Sequence, residues 1–562
     1  MKNKIILLIF AMVMAVCLLA SCGGKNDGGN GPAAKDPNKT LDWDTTELLF
    51  QMNMNSNGDE LSSGVKRYYA GEDDKGEEID DLVSERNDKA YANAKVKVTY
   101  QYIGQDNGTD TMWGQNADKI FTQASSAGSS TPDMFCNFAY DMTCAAIKGA
   151  FANLYSTKYD SNQNGKGENY FRFTQPDYNP VITDFFNSKE GEGYFKAYMD
   201  SLSLSSGKSY CLASDYCTDL VRSFLVIPVG VNLLKEVTAD GETIVDAAND
   251  GYDTTDFYQM VWANGWTYDM IAKISNTVFQ NLNQNNDMVD GMGTTTIGDR
   301  IGFAAGVGSG LTASGFLYTT DVKIIDRATL AYPANNQTLN DVAAALTNLF
   351  GQNKSNGVCV VTTAQANAFG VNSKRSELDA IRNEFVAGRI LFGGIVTVGS
   401  LEESKYQGMN GGFGIVPVPA YKQGVEYKTL VHNLARIVGI SVVTTEFEMC
   451  TAFLNEVSTT SDKVLEQYYT KNLAAAVGGG MAGTYNIQML TYIRNHVNDC
   501  FDKTFEDMVS FYKSTSNTQT WHNTLMAANY QMSDFSTVYG TMVDQKTSTL
   551  QEIKTQWGKL AD

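Results

Sequence analysis

Apolar residues along this chain change their spacing from segment to segment, and each change marks an element. "TELLFQMNMN" (46–55) is a short apolar run closed by turn formers and reads as a strand, and the acidic stretch from Glu77 to Asn93 reads as a helix. "AKVKVTYQYIG" (94–104) alternates strictly, with Val96, Val98, Tyr100 and Tyr102 on one face. "TMWGQNADKIFTQASSAG" returns to helical spacing, "PDMFCNFAYD" (132–141) to a strand and "MTCAAIKGAFANL" to a helix. Strand and helix alternating over short connections predict a mostly parallel sheet covered on both faces.

Beyond about Leu154 the pattern loosens into an Asn- and Gly-rich stretch. Within it "DSNQNGKGENYF" (160–171) has the spacing of a calcium loop at Asp160, Asn162, Asn164 and Gly165. Phe171 stands where the bidentate Glu is needed, so the segment reads as a surface loop. Strands resume at "SYCLASDY" and "VRSFLVIPVGVN". "GWTYDMIAKIS" (265–275) predicts a helix capped by Thr267, with Asp269 favourably placed in its first turn. "IGFAAG", "VCVVTT", "FGIVPVP" and "RIVGISVVTT" are β-rich, "LNDVAAALTNLF" and "SELDAIRNEFVAGR" are helical, and the tail from about Asp502 is helical in period. Trp262 and Trp266 introduce a helix that should pack on a sheet, which makes them core residues.

The N-terminus follows another logic. Lys2 and Lys4 precede an apolar run from Ile5 to Leu19, the layout of an export signal and too short for a span of roughly 20 residues. Leu19-Ala20-Ser21-Cys22 resembles a bacterial lipobox, which implies cleavage after residue 21 and acylation of Cys22. Residues 22–41 then form a polar tether with no apolar period.

Composition narrows the function. A chain of 562 residues exceeds one small core, so two or more lobes are expected. The formal charge is −20, and −22 without Lys2 and Lys4, which opposes nucleic acid and anionic lipid as partners. The seven cysteines beyond Cys22 are irregularly spaced and read mainly as small buried hydrophobes, although Cys211 and Cys217 could pair. Three histidines, none in a metal spacing, leave metalloenzyme chemistry unsupported, and no cofactor is expected.

Six segments in order resemble the carbohydrate-binding, family 1 solute-binding proteins of ABC transporters, the group that includes maltose-binding protein. They are "PDMFCNFAYDMTCAAIKGAFANL", "GKSYCLASDYCTDLVRSFLVIPVGVNLLKE", "GWTYDMIAKIS", "FLYTTDVKIIDRATLAY", "FVAGRILFGG" and "GFGIVPVPAY", within a resemblance spanning roughly 45 to 470. Thr320 and Asp321 replace a usual Gly-Gly pair, and insertions are expected between 155 and 205 and between 236 and 262. The resemblance implies a type II periplasmic-binding α/β fold of two lobes, with mixed or parallel sheets and a hinge crossed more than once. Lobe 1 would hold 42–215 and 435–505, lobe 2 would hold 216–434, and 506–562 would pack as a C-terminal helical segment across or onto lobe 2. It further implies a monomeric extracytoplasmic receptor, held to the membrane only by its lipid, that delivers a sugar to an ABC permease.

A sugar site needs aromatic platforms and planar polar side chains, and open α/β sheets bind ligands beyond the carboxyl ends of their strands. The candidates by that rule are Asn53 and Asn55, Asn137, Tyr140 and Asp141, Asp215 and Tyr216, Phe316 and Tyr318, and His432 and Asn433. Tyr140 and Asp141 also match positions where the family commonly contacts ligand. Ile395 and Val396 stand where many relatives carry a Trp, which argues against a maltose-like ligand and leaves Trp521 as a replacement platform. A surface glycan-binding adhesin and a secreted glycosidase with paired carboxylates are the competing readings; no catalytic motif supports the second.

Overall fold

The structure is a computed structural model. It describes residues 41, 43, 47–54, 66–71, 78–103, 115–128, 130–156, 158–159, 167–174, 191–205, 207–238, 244, 254–282, 284, 299–306, 310–320, 322–333, 336–351, 357–368, 370–373, 376–402, 406, 408–473, 481–498, 500–512 and 535–560. Cys22, Asn55, Asp160, Asp321 and Trp521 lie outside the described residues.

In chain order the strands are β1 (Glu47–Asn53), β2 (Lys97–Ile103), β3 (Met134–Phe138), β4 (Lys158–Tyr159), β5 (Gly167–Glu168) and β6 (Leu225–Gly230). They continue with β7 (Ile301–Gly306), β8 (Val358–Val361), β9 (Ile390–Phe392), β10 (Val396–Thr397), β11 (Phe413–Pro417) and β12 (Arg436–Ile440). A four-stranded sheet has the order β12-β3-β1-β2, with β2, β1 and β3 parallel and β12 antiparallel to β3. The six-stranded sheet runs β10-β6-β9-β7-β8, with β11 also paired to β6; β4 and β5 form a small antiparallel pair. The architecture is therefore mixed α/β with two principal sheets, as the alternating pattern predicts.

Local chemistry explains most of the boundaries. β3, β6 and β7 are buried along their whole length, matching apolar runs that only Asn137 of β3 interrupts, because central strands covered on both faces have no solvent side. Within β6, Pro228 has no N–H to give, and the opposite strand is broken there into β9 and β10 with Gly393 and Gly394 between them. "SYCLASDY" forms no strand: it makes only isolated bridges, Leu212 to Val438 and Ser214 to Tyr194, at the margin of the first sheet. The segment before β6 becomes a short helix, α4 below, rather than extended chain.

The helices used below are α1 (Glu78–Ala94), α2 (Gln115–Ala124), α3 (Ala139–Ile147), α4 (Thr218–Arg222), α5 (Tyr268–Val278) and α6 (Gly310–Tyr318). They are followed by α7 (Ser376–Val386), α8 (Phe447–Thr459), α9 (Met481–Asn495), α10 (Phe501–Phe511) and α11 (Phe535–Trp557). Thr267 caps α5 as expected, its side chain accepting from the Met270 N–H at 3.2 Å. Trp266 is fully buried against Phe257 and Phe392, and its indole N–H donates to the Pro417 carbonyl at 2.9 Å, while Trp262 is partly buried beside the core. Cys211 and Cys217 are both free thiols.

Three passages of chain run side by side between the two sheets. Phe224 bridges Val431, with the Leu225 N–H donating to Leu430 and the His432 N–H to Ser223. Thr429 in turn bridges Val497. After β12 the chain forms α8, whose Ser458 hydroxyl donates to Ser214 at 2.8 Å, and then α9, which lies on β11 of the second sheet. There Asn486 accepts from the Ile415 N–H at 2.9 Å and donates to the Phe413 carbonyl at 3.3 Å. The final helices return: α10 packs on α3 of the first half and also touches α6 of the second.

Helix and sheet approach closely at Gly302 on β7, where an added Cβ would lie 2.1 Å from the Ser275 Cα of α5. Gly302→Ala must push α5 off the sheet, and it is expected to lower stability by about 1–3 kcal/mol, read as a reduced urea midpoint with unchanged slope.

Candidate functional site

The carboxyl ends of β1 and β3 and the antiparallel start of β12 meet at one edge of the first sheet, where Arg436 is in register with Phe138. Asn53 ends β1 and Asn137 is the penultimate residue of the adjacent β3, and the Asn53 Nδ2 donates to the Asn137 Oδ1 at 2.5 Å. Asn137 Oδ1 also accepts the Phe138 N–H at 2.7 Å. Helix α3 begins immediately, at Ala139, so Tyr140 and Asp141 lie in its first turn rather than in a loop. Asp141 is favourably placed near a helix N-terminus, and Asn116 of α2 donates to its Oδ2 at 3.1 Å. Phe138 and Tyr140 stack with centroids 5.8 Å apart and, with Leu434, form an apolar cluster separate from the main core. The Arg436 guanidinium lies 5.0 Å over the Phe138 ring.

Behind this edge lies an ion network in which Asp219, Arg222 and Arg436 are buried and Glu402 is partly exposed. Asp219 of α4 accepts Arg436 Nη1 at 2.8 Å on one oxygen and Arg222 Nη1 at 3.0 Å on the other. Arg436 Nε continues to the Asn53 carbonyl at 2.9 Å. Arg222 grips Glu402 with two bonds, 2.9 and 3.1 Å, and the Tyr468 hydroxyl donates to the same carboxylate at 2.5 Å. Burial disfavours the Arg222 charge, but Glu402, Tyr68 and Asp219 outweigh it and hold the guanidinium above its ordinary range. One aspartate thus ties the first-sheet edge, the passage between sheets and the Glu402 turn after β10.

The remaining predicted residues divide. Asn433 is buried, and its amide donates to Asp507 Oδ2 of α10 at 2.9 Å. Half-buried His432 accepts the Leu434 N–H at 3.3 Å. Tyr318, at the end of α6, is buried facing Glu506, Asp507 and Asp502; burial first, and those carboxylates second, hold its phenol well above the ordinary range. Burial does the same for Tyr140, with Asp141 and Asp507 adding to it. Asp507 therefore faces residues of both halves. Tyr216 lies elsewhere, in the core beside Tyr69, Phe453 and Phe50, with Arg86 4.8 Å over its ring. Phe316 packs among Tyr268, Phe303 and Phe350.

Asp215 occupies a separate junction. One Arg494 nitrogen of α9 reaches both of its oxygens, at 2.9 and 2.8 Å, and the Glu192 carbonyl at 2.8 Å, while the guanidinium lies 5.0 Å over Phe195. Arg436, Asp219, Arg222, Glu402, Arg494 and Asp507 escape a reading by strand ends. Their signal is a charge inside or at the mouth of an apolar run, as with Arg436 opening "RIVGISVVTT". Among the described residues no His, Cys, Asp or Glu group could hold a metal ion.

Removing the carboxylate by Asp219→Ala leaves two guanidinium groups buried together, and stability should fall by about 3–5 kcal/mol in chemical denaturation. Burial pushes the Asp215 carboxyl from 3.8 up to about 6, against the lowering pull of Arg494. The folded chain then holds that proton more tightly than the unfolded one, so this group's contribution to stability falls as pH rises between about 4 and 6, by about 3 kcal/mol in total. Thermal midpoints measured across that window should show the decline in the parent protein and lose it in Asp215→Asn.

No family model and no curated protein matches the chain. Among solved structures it is similar to the sugar-binding protein MalE from the phytopathogen Xanthomonas citri, at 10% identity and a TM-score of 0.51, over 92% of this chain and 100% of that one. An ABC substrate-binding protein from Listeria monocytogenes in complex with cycloalternan aligns at 14% identity and 0.42, over 89% and 99%. A family 1 extracellular solute-binding protein from Bifidobacterium longum subsp. infantis aligns at 13% and 0.42, over 87% and 98%. At such identities the likeness is one of fold: the chain has the two-lobed, mixed-sheet α/β fold of the MalE structure.

Proposed function

We propose that the protein is an extracytoplasmic solute-binding receptor of an ABC importer, which captures a sugar, in this reading an oligosaccharide, between its halves and passes it to a membrane permease. The observation that carries this reading is the convergence at one sheet edge of paired amides (Asn53, Asn137), a stacked aromatic pair (Phe138, Tyr140) and a guanidinium (Arg436). Sugars present C–H faces and ring-edge hydroxyls, and these are the groups that stack on aromatics and bond planar polar side chains. Three adjacent chain passages beside that edge suit a hinge, because a few backbone positions can absorb the rotation while each sheet moves as a body.

The anchor belongs to the same reading: the lipobox-like Leu19-Ala20-Ser21-Cys22 would moor a monomeric receptor by acylation of Cys22. No described helix is long and apolar enough to cross a membrane. Tyr140 and Asp141 are the foremost contacts in this reading, with Asn53, Asn137 and Asn433 as hydroxyl partners.

A ligand that binds only the folded state raises the thermal midpoint by an amount set by its concentration over Kd. Purified protein screened against soluble mono- and oligosaccharides should show such a rise for at least one sugar. Tyr140→Ala should abolish the rise, and Tyr140→Phe, which keeps the ring, should retain most of it. No rise with any sugar would reject the receptor reading.

A further inference from the structure

Asn433 raises a question that its hydrogen bonds do not close. The residue is 9% exposed, its Nδ2 donates to Asp507 at 2.9 Å, and its Oδ1, also buried, has no donor among the described residues. The orientation of the amide is not free. Asp507 accepts two bonds from Lys503, at 2.5 and 2.6 Å, which keeps it a carboxylate and hence a pure acceptor. Only the NH₂ end of Asn433 can face it, so the carbonyl end is forced to the other side. A buried acceptor left bare costs about tenfold or more in an equilibrium, so a fold that fixes one in place gains nothing from it unless a donor arrives.

The chemistry of that donor can be narrowed. Lys503 already balances the Asp507 charge, so no cation is needed at this point. The next residue, Leu434, belongs to the apolar cluster with Phe138 and Tyr140, so the donor arrives beside an apolar face. An uncharged hydroxyl attached to a C–H surface has both properties.

Resting on the receptor reading above, we infer that Asn433 Oδ1 is an acceptor held for a hydroxyl of a neutral sugar whose C–H face meets Phe138 and Tyr140, and that Asp507 is the positioning residue that fixes the amide. Helix α10 thereby belongs to the recognition apparatus: it sets which end of one amide the ligand meets.

D-glucose serves as the probe. In crystals of the protein soaked in glucose, a hydroxyl oxygen should lie within about 3.2 Å of Asn433 Oδ1, and Asn433→Leu, close in size but without the amide, should lose glucose affinity by about tenfold or more. Asp507→Glu, which still accepts, should keep glucose affinity within about threefold, whereas Asp507→Asn, which lets the amide turn over, should lose about tenfold. A purely structural role for Asp507 would change the melting temperature in both variants without that split. Glucose absent from Oδ1, a protein N–H found bonded to it, or Asn433→Leu binding glucose as tightly as the parent would overturn the inference. A thermal rise with some sugar alongside a bare Oδ1 rejects this inference and leaves the receptor reading standing; no rise with any sugar rejects both.

Discussion

The structure depends on one carboxylate. Asp219 is bonded by two guanidinium groups, one on each oxygen, one from its own helix and one from β12, 217 residues further along the chain. Buried ion pairs are poor sources of net stability, since desolvation offsets most of the attraction, but an incomplete one is strongly unfavourable. Such a network therefore works as a registration device, tolerating one arrangement of its parts. The arrangement fixes where Arg436 stands, and with it the side of β12 that meets Phe138 and the Asn53 carbonyl.

From that anchor the rest of the edge follows. With Arg436 pinned, β12 is held antiparallel to β3, its first residue opposite the last of β3. The loop before it, with His432, Asn433 and Leu434, is then brought against Phe138 and Tyr140. Glu402 extends the same network into the second half through Arg222, so the polar interior is continuous from one sheet to the other.

Aromatic residues show how one residue type serves two purposes. Tyr216 is held in the core by rings on several sides and by Arg86 above it, and its hydroxyl lies 3.4 Å from that of Tyr100. Tyr140 is also buried, but the described residues around it include the Phe138 ring, Leu434, Asp141, Asp507 and Arg436 at a sheet edge. Dispersion and ring packing dominate around the first, while the second lies where polar groups from both halves meet. That contrast separates a core tyrosine from a candidate platform, and burial alone would not.

Sequence by itself determined the local elements. The alternation in 94–104, the apolar runs of β3, β7, β8 and β11, the Thr267 cap and the burial of Trp266 all reflect interactions within a few residues, or the simple need to cover an apolar face. It also singled out the ends of β1 and β3, because strand polarity is written in chain order. Where it failed, the cause was distance. "SYCLASDY" has the composition of a strand yet gains only single-residue bridges, Leu212 to Val438 and Ser214 to Tyr194. The meeting of Asp219 with Arg436, of Asp215 with Arg494 and of Asn433 with Asp507 depends on register and on how helices return across the sheets. Those contacts join residues tens to hundreds of positions apart, a separation that no hydrophobic period encodes, so only the packed tertiary structure decided them.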